Sequence, residues 1–508
     1  THGWHRPHHH HRLILSVVDD LGYHNVGYAG NIEASTPHID YLAMTGARLE
    51  RLYAYRSCSP TRSSLLSGRL PIHVNQYNLP EDNMELGGGI HAGFTLISDK
   101  LKQAGYKTHM VGKWHCGMSA PELLPASRGF DTALTYLAGQ EDHWTQSVPA
   151  PTECYPNSTT RMVDLYDTHA PAYDLNGTDY GDGIFAKRAH EIIADHARDD
   201  PSAPLFLYYA FQINHNPLEA PYEYWERFSG IENEKRRNYT AMTPYMDDKL
   251  HNMTSLLEDV GMWQDTLLIW FSDNGGPSGA DCDSANNYPL RGGKYSDFEG
   301  GVRVRGFVNG GALPSAMRGT QVNSLMHVAD FYATMAGLAG VDPSDEAAAQ
   351  YGLPSVDSID MWDVLSGATD IDMEPRSELA LSLYTDGEGV LTGALIVGRY
   401  KLIFGKQNPA IYPGPVYPNG TASGPSLQDC GVEGCLYDLQ FDPTEHTDLA
   451  TSHPELRASL HRRAIELNMT VYQTPRGFMP DCDSAELQAV VEGGYWAPYA
   501  PLPYPLEA

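Results

Sequence analysis

The chain has 508 residues, with 34 Lys and Arg against 64 Asp and Glu and a formal net charge of −30. That length exceeds one small domain and allows a large core with an appendage. The acidic balance and the absence of any basic run exclude a nucleic-acid footprint, and no stretch reaches the apolar length of a membrane span. A polyanionic substrate would feel the same repulsion, which favours a short one, an acidic compartment or high salt.

The sequence starts at Thr1 with neither a methionine nor an apolar leader, so a processed chain is expected. Six sequons, at Asn157, Asn176, Asn238, Asn252, Asn419 and Asn468, point to a glycosylated secretory protein, secreted or lysosomal. Seven cysteines leave one unpaired in an oxidising compartment. Setting Cys58 aside leaves six, enough for up to three disulfides, with Cys430 and Cys435 close enough for a local loop. Residues 1–11 carry His2, His5 and His8 to His11 and read as a terminal arm, since consecutive histidines fold no defined site by themselves.

Leu13 to Val18 is an almost continuous apolar run, a buried parallel strand that ends in Asp19-Asp20. Next comes Ser57-Cys58-Ser59-Pro60-Thr61-Arg62, with Ser59 a good N-cap, Pro60 suited to the first helical position and Gly68 suited to the left-handed cap. A helix from Pro60 to Ser67 follows, with Cys58 just outside its positive end and Arg62 one turn in. Helical periodicity from Ile97 ends at Gly105. A strand from Lys107 to Val111 then leads to Lys113 and His115, which share one side of an extended segment.

Between about 120 and 182 the chain is rich in Pro, Thr, Tyr and Asp without periodicity, which predicts a long surface insertion. Pro204 to Ala210 is another buried-type strand and delivers His215 on the loop after it. Met242, Met246, Leu250, Met253 and Leu257 lie on one face of an amphipathic helix ending at Gly261. Thr266 to Phe271 is a strand that ends in Ser272-Asp273-Asn274-Gly275-Gly276. Ligands bind outside the carboxyl ends of strands in open α/β sheets, so if this strand neighbours the first, three carboxylates and an amide oxygen converge. Such a cluster needs a cation, and its oxygen donors suit Ca²⁺ or Mg²⁺. Lys294 follows in a glycine-rich stretch that lets backbone approach an anion.

A boundary is placed near 375, dividing a domain over 12–375 from a smaller one over 376–508. In the second, Ala394 to Phe404 and Cys435 to Leu439 read as strands and Pro454 to Leu467 as a helix, and from Gly493 a Pro- and Tyr-rich tail runs extended over the surface.

Several strings resemble those of the type I sulfatases: Cys58-Ser59-Pro60-Thr61-Arg62 with Leu66-Ser67-Gly68-Arg69, Gly112-Lys113-Trp114-His115-Cys116-Gly117, and Leu290-Arg291-Gly292-Gly293-Lys294 followed by Glu299-Gly300-Gly301. The pattern is nearest to the arylsulfatase B, or N-acetylgalactosamine 4-sulfatase, type. It departs from that type at Gly293, in the insertion and in the cysteine positions.

The resemblance implies an α/β, alkaline-phosphatase-like fold: a mixed, mostly parallel sheet between helices, with a smaller C-terminal antiparallel sheet and helix. It also implies a sulfate-ester hydrolase acting on sulfated carbohydrate, with Cys58 oxidised to formylglycine by a formylglycine-generating enzyme. Asp19, Asp20, Cys58, Asp273 and Asn274 would hold the metal. Arg62, Lys113, His215 and Lys294 would bind sulfate, with His215 as leaving-group acid and His115 as the base that expels sulfate. A phosphoester hydrolase on the same fold and a non-catalytic glycoprotein are the rival readings.

Overall fold

The computed structural model describes residues 11–79, 84–150, 154, 159–279, 284–385, 387, 389–416, 422–474 and 480–506. The His-rich residues 1–10, the sequons at Asn157 and Asn419, and Cys282 lie outside them.

A large sheet is built from β1 (Arg12–Val18), β2 (Ala47–Leu49), β3 (Lys107–Lys113), β4 (Thr132–Tyr136), β5 (Tyr166–Asp167), β6 (Ala170–Pro171), β7 (Leu205–Ala210), β8 (Thr266–Ser272), β9 (Gly306–Asn309) and β10 (Gln321–Val322). Their order across the sheet is β10-β2-β9-β8-β1-β7-β3-β4-β5-β6. The five central strands, β8 to β4, run parallel, and antiparallel pairings lie outside them on both sides. The two strands expected to be neighbours pair directly, with Val18 opposite Ser272.

Strand alternation divides the core into two layers. Leu13, Leu15 and Val17 face one layer, shared with Leu65 and Leu66 of helix α1 (Cys58–Ser67). Ile14 and Val18 face the other, shared with helices α2 (Gly181–Asp199) and α3 (Glu234–Asp259). Met242, Met246, Leu250, Met253 and Leu257 form the buried stripe of α3, as their spacing predicts.

A second, four-stranded antiparallel sheet contains β11 (Glu378–Thr385), β12 (Leu391–Val397), β13 (Tyr400–Phe404) and β14 (Cys435–Asp438). Helix α4 (Pro454–Asn468) packs on it and shares its core. The run read as one strand from Ala394 to Phe404 is therefore two, turned at Gly398 with φ of 58°. The chain then returns to the large sheet through helix α5 (Cys482–Val491), with Ala485, Ala489 and Trp496 in the first core layer. Beyond Gly493 the described tail forms no helix, and Tyr499 and Ala500 bond to Ser119 O.

The region from 120 to 182 is not a surface insertion. It supplies β4, β5 and β6 to the main sheet, and Asp164 accepts the amides of Leu137 and Ala138 at the sheet's edge. Strands of two to five residues are too short to leave a period, so pairing rather than pattern decides them. Disulfides join Cys154 to Cys482 and Cys430 to Cys435, while Cys116 is a buried free thiol.

Candidate active site

Each strand of the parallel centre ends at the same edge and hands over to a loop carrying a polar group. β1 delivers Asp19 and Asp20, β8 delivers Asp273 and Asn274, β3 delivers Lys113 and His115, and the loop after β7 delivers His215. Asp273 N donates to Val18 O at 2.9 Å and Asp19 N to Ile213 O at 3.0 Å, so backbone bonds lock three of these loops together. Asp20 and His115 sit at φ of 56° and 50°, left-handed conformations in which non-glycine residues are uncommon.

Cys58 enters from the side. It was expected just outside a helix capped by Ser59; instead it is the first residue of α1, with Ser57 at the cap position. The reason is that the first turn is closed from elsewhere. Asn78 Oδ1 accepts Ser59 N at 3.1 Å, and Thr61 Oγ1 accepts Tyr55 N and donates to Ser57 O, so Ser59 is not needed as a cap. Gly68 takes the expected left-handed C-cap.

Asp19, Asp20, Cys58 and His215 each place a ligand-type atom within 4.8 Å of the others, and all four are buried. Cys58 Sγ lies 3.6 Å from Asp19 Oδ1. Lys113 Nζ reaches Asp19 Oδ2 at 2.5 Å, and Lys294 Nζ reaches Asp20 Oδ1 at 2.7 Å. The Arg62 guanidinium is fully enclosed and committed to protein groups, holding Asp273 Oδ2 at 2.7 Å and donating to Lys113 O and Tyr208 Oη. His115 Nε2 lies 3.3 Å from Leu79 O, and its Nδ1 is a buried atom with no hydrogen bond among the described residues.

The electrostatics follow from burial opposed by the cations. Burial raises the Asp20 carboxyl, but Lys294, His215 and Lys113 outweigh it and bring it down to about 2. Asp273 goes the other way, to about 6, because burial and Asp19 prevail over Arg62 and Lys113. Burial, Lys294 and Lys113 pull His215 down to about 3 against Asp20, and burial with Lys113 and Arg62 keeps His115 well below the ordinary imidazole range. Burial pushes the Cys58 thiol up to about 12, so it is no ready thiolate.

These residues fit a hard cation. The carboxylates of Asp19, Asp20 and Asp273 supply oxygen donors, and Asn274 adds a buried Oδ1 that accepts no hydrogen bond among the described residues. Asn274 Nδ2 donates to Asp20 Oδ1 at 2.7 Å and thereby fixes which amide atom is left over.

Residues 11–341 match the family described as Sulfatase. Arylsulfatase J of Mus musculus is 32% identical over 98% of this chain and 81% of its own length. The chain belongs to the sulfatase family. Its reaction is the hydrolysis of sulfate esters. This sulfatase is also 30% identical, over 66% of its length and 63% of the relative's, to the N-acetylgalactosamine-6-sulfatase of Mus musculus. Its fold matches the crystal structure of Ps i-CgsB in complex with k-i-k-neocarrahexaose, with a TM-score of 0.75 at 24% identity over 95% of this chain and 97% of that one.

Support for the sulfatase site comes from groups that motif and spacing did not single out. Tyr239 Oη donates to Asp20 O at 2.7 Å and accepts Gly22 N at 3.0 Å, pinning the strained Asp20 turn from α3. Asp182 accepts the amides of Gln212 and Ile213 and so braces the loop that carries His215. Asn214 Nδ2 bonds Tyr239 O and Thr243 Oγ1, joining the two supports. A tyrosine or aspartate inside an amphipathic helix carries no local signal for such a task.

Proposed function

We propose that this sulfatase cleaves sulfate esters of sugars of the N-acetylgalactosamine sulfate class, 4-sulfates foremost. It would use a formylglycine made from Cys58 and a Ca²⁺ or Mg²⁺ ion at Asp19, Asp20, Asp273 and Asn274, with residue 58 as a further ligand. The observation that carries this reading is the gathering of Cys58, Asp19, Asp20 and His215 within 4.8 Å, beside two buried lysines. The depressed reactivity of the Cys58 thiol supports an oxidised side chain there in place of the thiol itself. When present, formylglycine supplies a hydrated aldehyde as nucleophile, and the cation supplies positive charge against the sulfate oxygens.

The chain's own residues do the rest. Lys113 and Lys294 balance the charge of the sulfate oxygens in a site without water-like screening, where fixed charges act most strongly. Arg62 adds its charge from behind Asp273 and keeps that carboxylate in place. His215 Nδ1 lies 2.9 Å from Asn216 O, a bond that puts the proton on Nδ1 and leaves Nε2 to carry the proton given to the departing sugar oxygen. His115, neutral and with Nδ1 unengaged, accepts a proton at that atom.

Passage through the secretory pathway, modification of Cys58 by a formylglycine-generating enzyme, and glycosylation at the six sequons belong to the same reading. Four of those asparagines fall in the described structure, and none is buried: Asn176, Asn238, Asn252 and Asn468. The test is release of inorganic sulfate from defined sugar sulfates, including the 4- and 6-sulfates of N-acetylgalactosamine, each paired with its phosphate ester. Peptide mass spectrometry across residue 58 accompanies it. Sulfate release with an aldehyde at 58 is expected; turnover of phosphates alone, or an unmodified thiol in active protein, overturns the proposal.

A further inference from the structure

On the opposite side of α3 from the site, helix α3 crosses the helix Pro37–Thr45. Asp247 takes the place of a capping residue for the short helix, accepting His38 N at 3.1 Å and Ile39 N at 2.7 Å. That bond brings the His38 ring over α3, where it stacks on His251 with centroids 3.7 Å apart and planes 8° from parallel. His38, Asp247 and Asp248 each place one ligand-type atom within 4.8 Å of the other two.

Asp247 and His251 are four residues apart on α3, so both project from one face toward His38. Tyr224 Oη donates to Asp248 at 2.6 Å, and the two backbone amides hold Asp247, which orients both carboxylates as outer hydrogen bonds do at metal sites. Neither ring nitrogen of His38 has a hydrogen-bond partner among the described residues. Partial burial and His251 lower its proton affinity against Asp248, so the ring stays in the neutral, ligating form. A cavity of about 290 Å³ opens beside the pair, lined also by Tyr41, Thr254, Glu258 and Arg318.

The geometry points to a second metal site at this crossing, in which His38, His251, Asp247 and Asp248 take a first-row divalent cation of the Zn²⁺ class. Mixed imidazole and carboxylate donors suit such an ion, whereas the oxygen set at Asp19, Asp20, Asp273 and Asn274 suits Ca²⁺ or Mg²⁺. The ion joins two helices otherwise linked here by the Asp247 cap. Because α3 also carries Tyr239 against Asp20, it stiffens the wall behind the reaction site without touching it. The net negative charge of the chain adds to the attraction for a cation.

The experiment uses the whole chain in excess Ca²⁺, with zinc chloride as the probe. Bound zinc is counted after equilibrium dialysis, and the melting temperature is followed with and without zinc. His38→Ala and His251→Ala should each bind about one zinc fewer than the parent, or bind it more than about tenfold more weakly. Each should also lose the zinc-dependent rise in melting temperature while keeping sulfate release in Ca²⁺. Asp248→Asn, which keeps the shape of the side chain, should weaken zinc in the same direction and guards against a misfolded alanine variant. The histidines at 2, 5 and 8–11 are common to parent and variants, so the difference isolates the crossing. Equal zinc and an equal rise in melting temperature in the parent and all three variants overturn the site, whatever the sugar specificity proves to be.

Discussion

The Lys294 ammonium lies 2.7 Å from one oxygen of Asp20 and 2.8 Å from the other, and both groups are shut away from solvent. Lys294 is the first-named cation drawing the Asp20 carboxyl down to about 2, and Asp20 in turn holds the ammonium well above its ordinary value. Removing the lysine leaves a buried carboxylate without its nearest cation and a sulfate without a fixed counter-charge. Lys294→Met is expected to lower kcat/KM for sulfate esters by about a hundredfold or more, measured as inorganic sulfate release. A variant within a few-fold of the parent would remove Lys294 from the reaction.

His215 presents Nε2 toward the cavity and fastens Nδ1 to Asn216 O. If it protonates the departing oxygen, His215→Ala should depress turnover of sugar sulfates, whose alkoxides leave badly, far more than that of nitrophenyl sulfate, whose phenoxide needs little help. Equal losses on the two substrates would assign His215 to binding alone.

At Gly112 the backbone has φ of 93°, and a Cβ there would lie 1.8 Å from Ala210 O on the adjacent strand. The residue precedes Lys113, so the tight passage of β3 past β7 also sets where the ammonium emerges. Gly112→Ala should cost more than about 2 kcal/mol of folding stability through strain and strand separation. Urea unfolding checks it, and a midpoint equal to the parent's would mean that the strands part without cost.

Stability should peak on the acid side of neutrality. Burial raises Asp164 to about 6 and Asp182 and Asp247 to about 7, so the folded chain keeps protons that the unfolded chain has released. Between the ordinary carboxylate value and those figures, stability therefore falls as pH rises. Burial lowers His24, His91, His109 and His143 to about 4; there the unfolded chain holds the extra protons, and stability rises with pH up to the ordinary histidine value. Together they place the maximum near about pH 6, with a decline toward about pH 8. Urea midpoints at fixed Ca²⁺ across that range are the check, and a midpoint still climbing above neutrality would contradict these assignments.

The parts legible in the chain are those in which one short segment carries its own signal. Leu13 to Val18 and Thr266 to Phe271 are apolar without interruption because helices cover both sheet faces, and each breaks at carboxylates where the sheet ends. The sulfatase strings around Cys58, Lys113 and Lys294 reached the right edge of the fold for the same reason. What escaped depends on partners remote in sequence. Asn78 settles where α1 begins, Tyr239 supports Asp20 from 219 residues away, and the strands at 166–167 and 170–171 exist only because β4 is there to pair with them. Helix α5 carries exposed Leu487, Val490 and Val491 as well as buried Ala485 and Ala489, so its sequence lacks a clean apolar stripe to mark which face turns inward.

The ion pair between Asp20 and Lys294 spans 274 positions of sequence. A nascent polypeptide that has left the ribosome only as far as β7 already holds Asp19, Asp20 and Cys58, yet lacks both Asp273 and the lysine that offsets Asp20. Its acidic pair must stay hydrated until more than half of the protein has been synthesised, so this corner of the sheet is among the last to close.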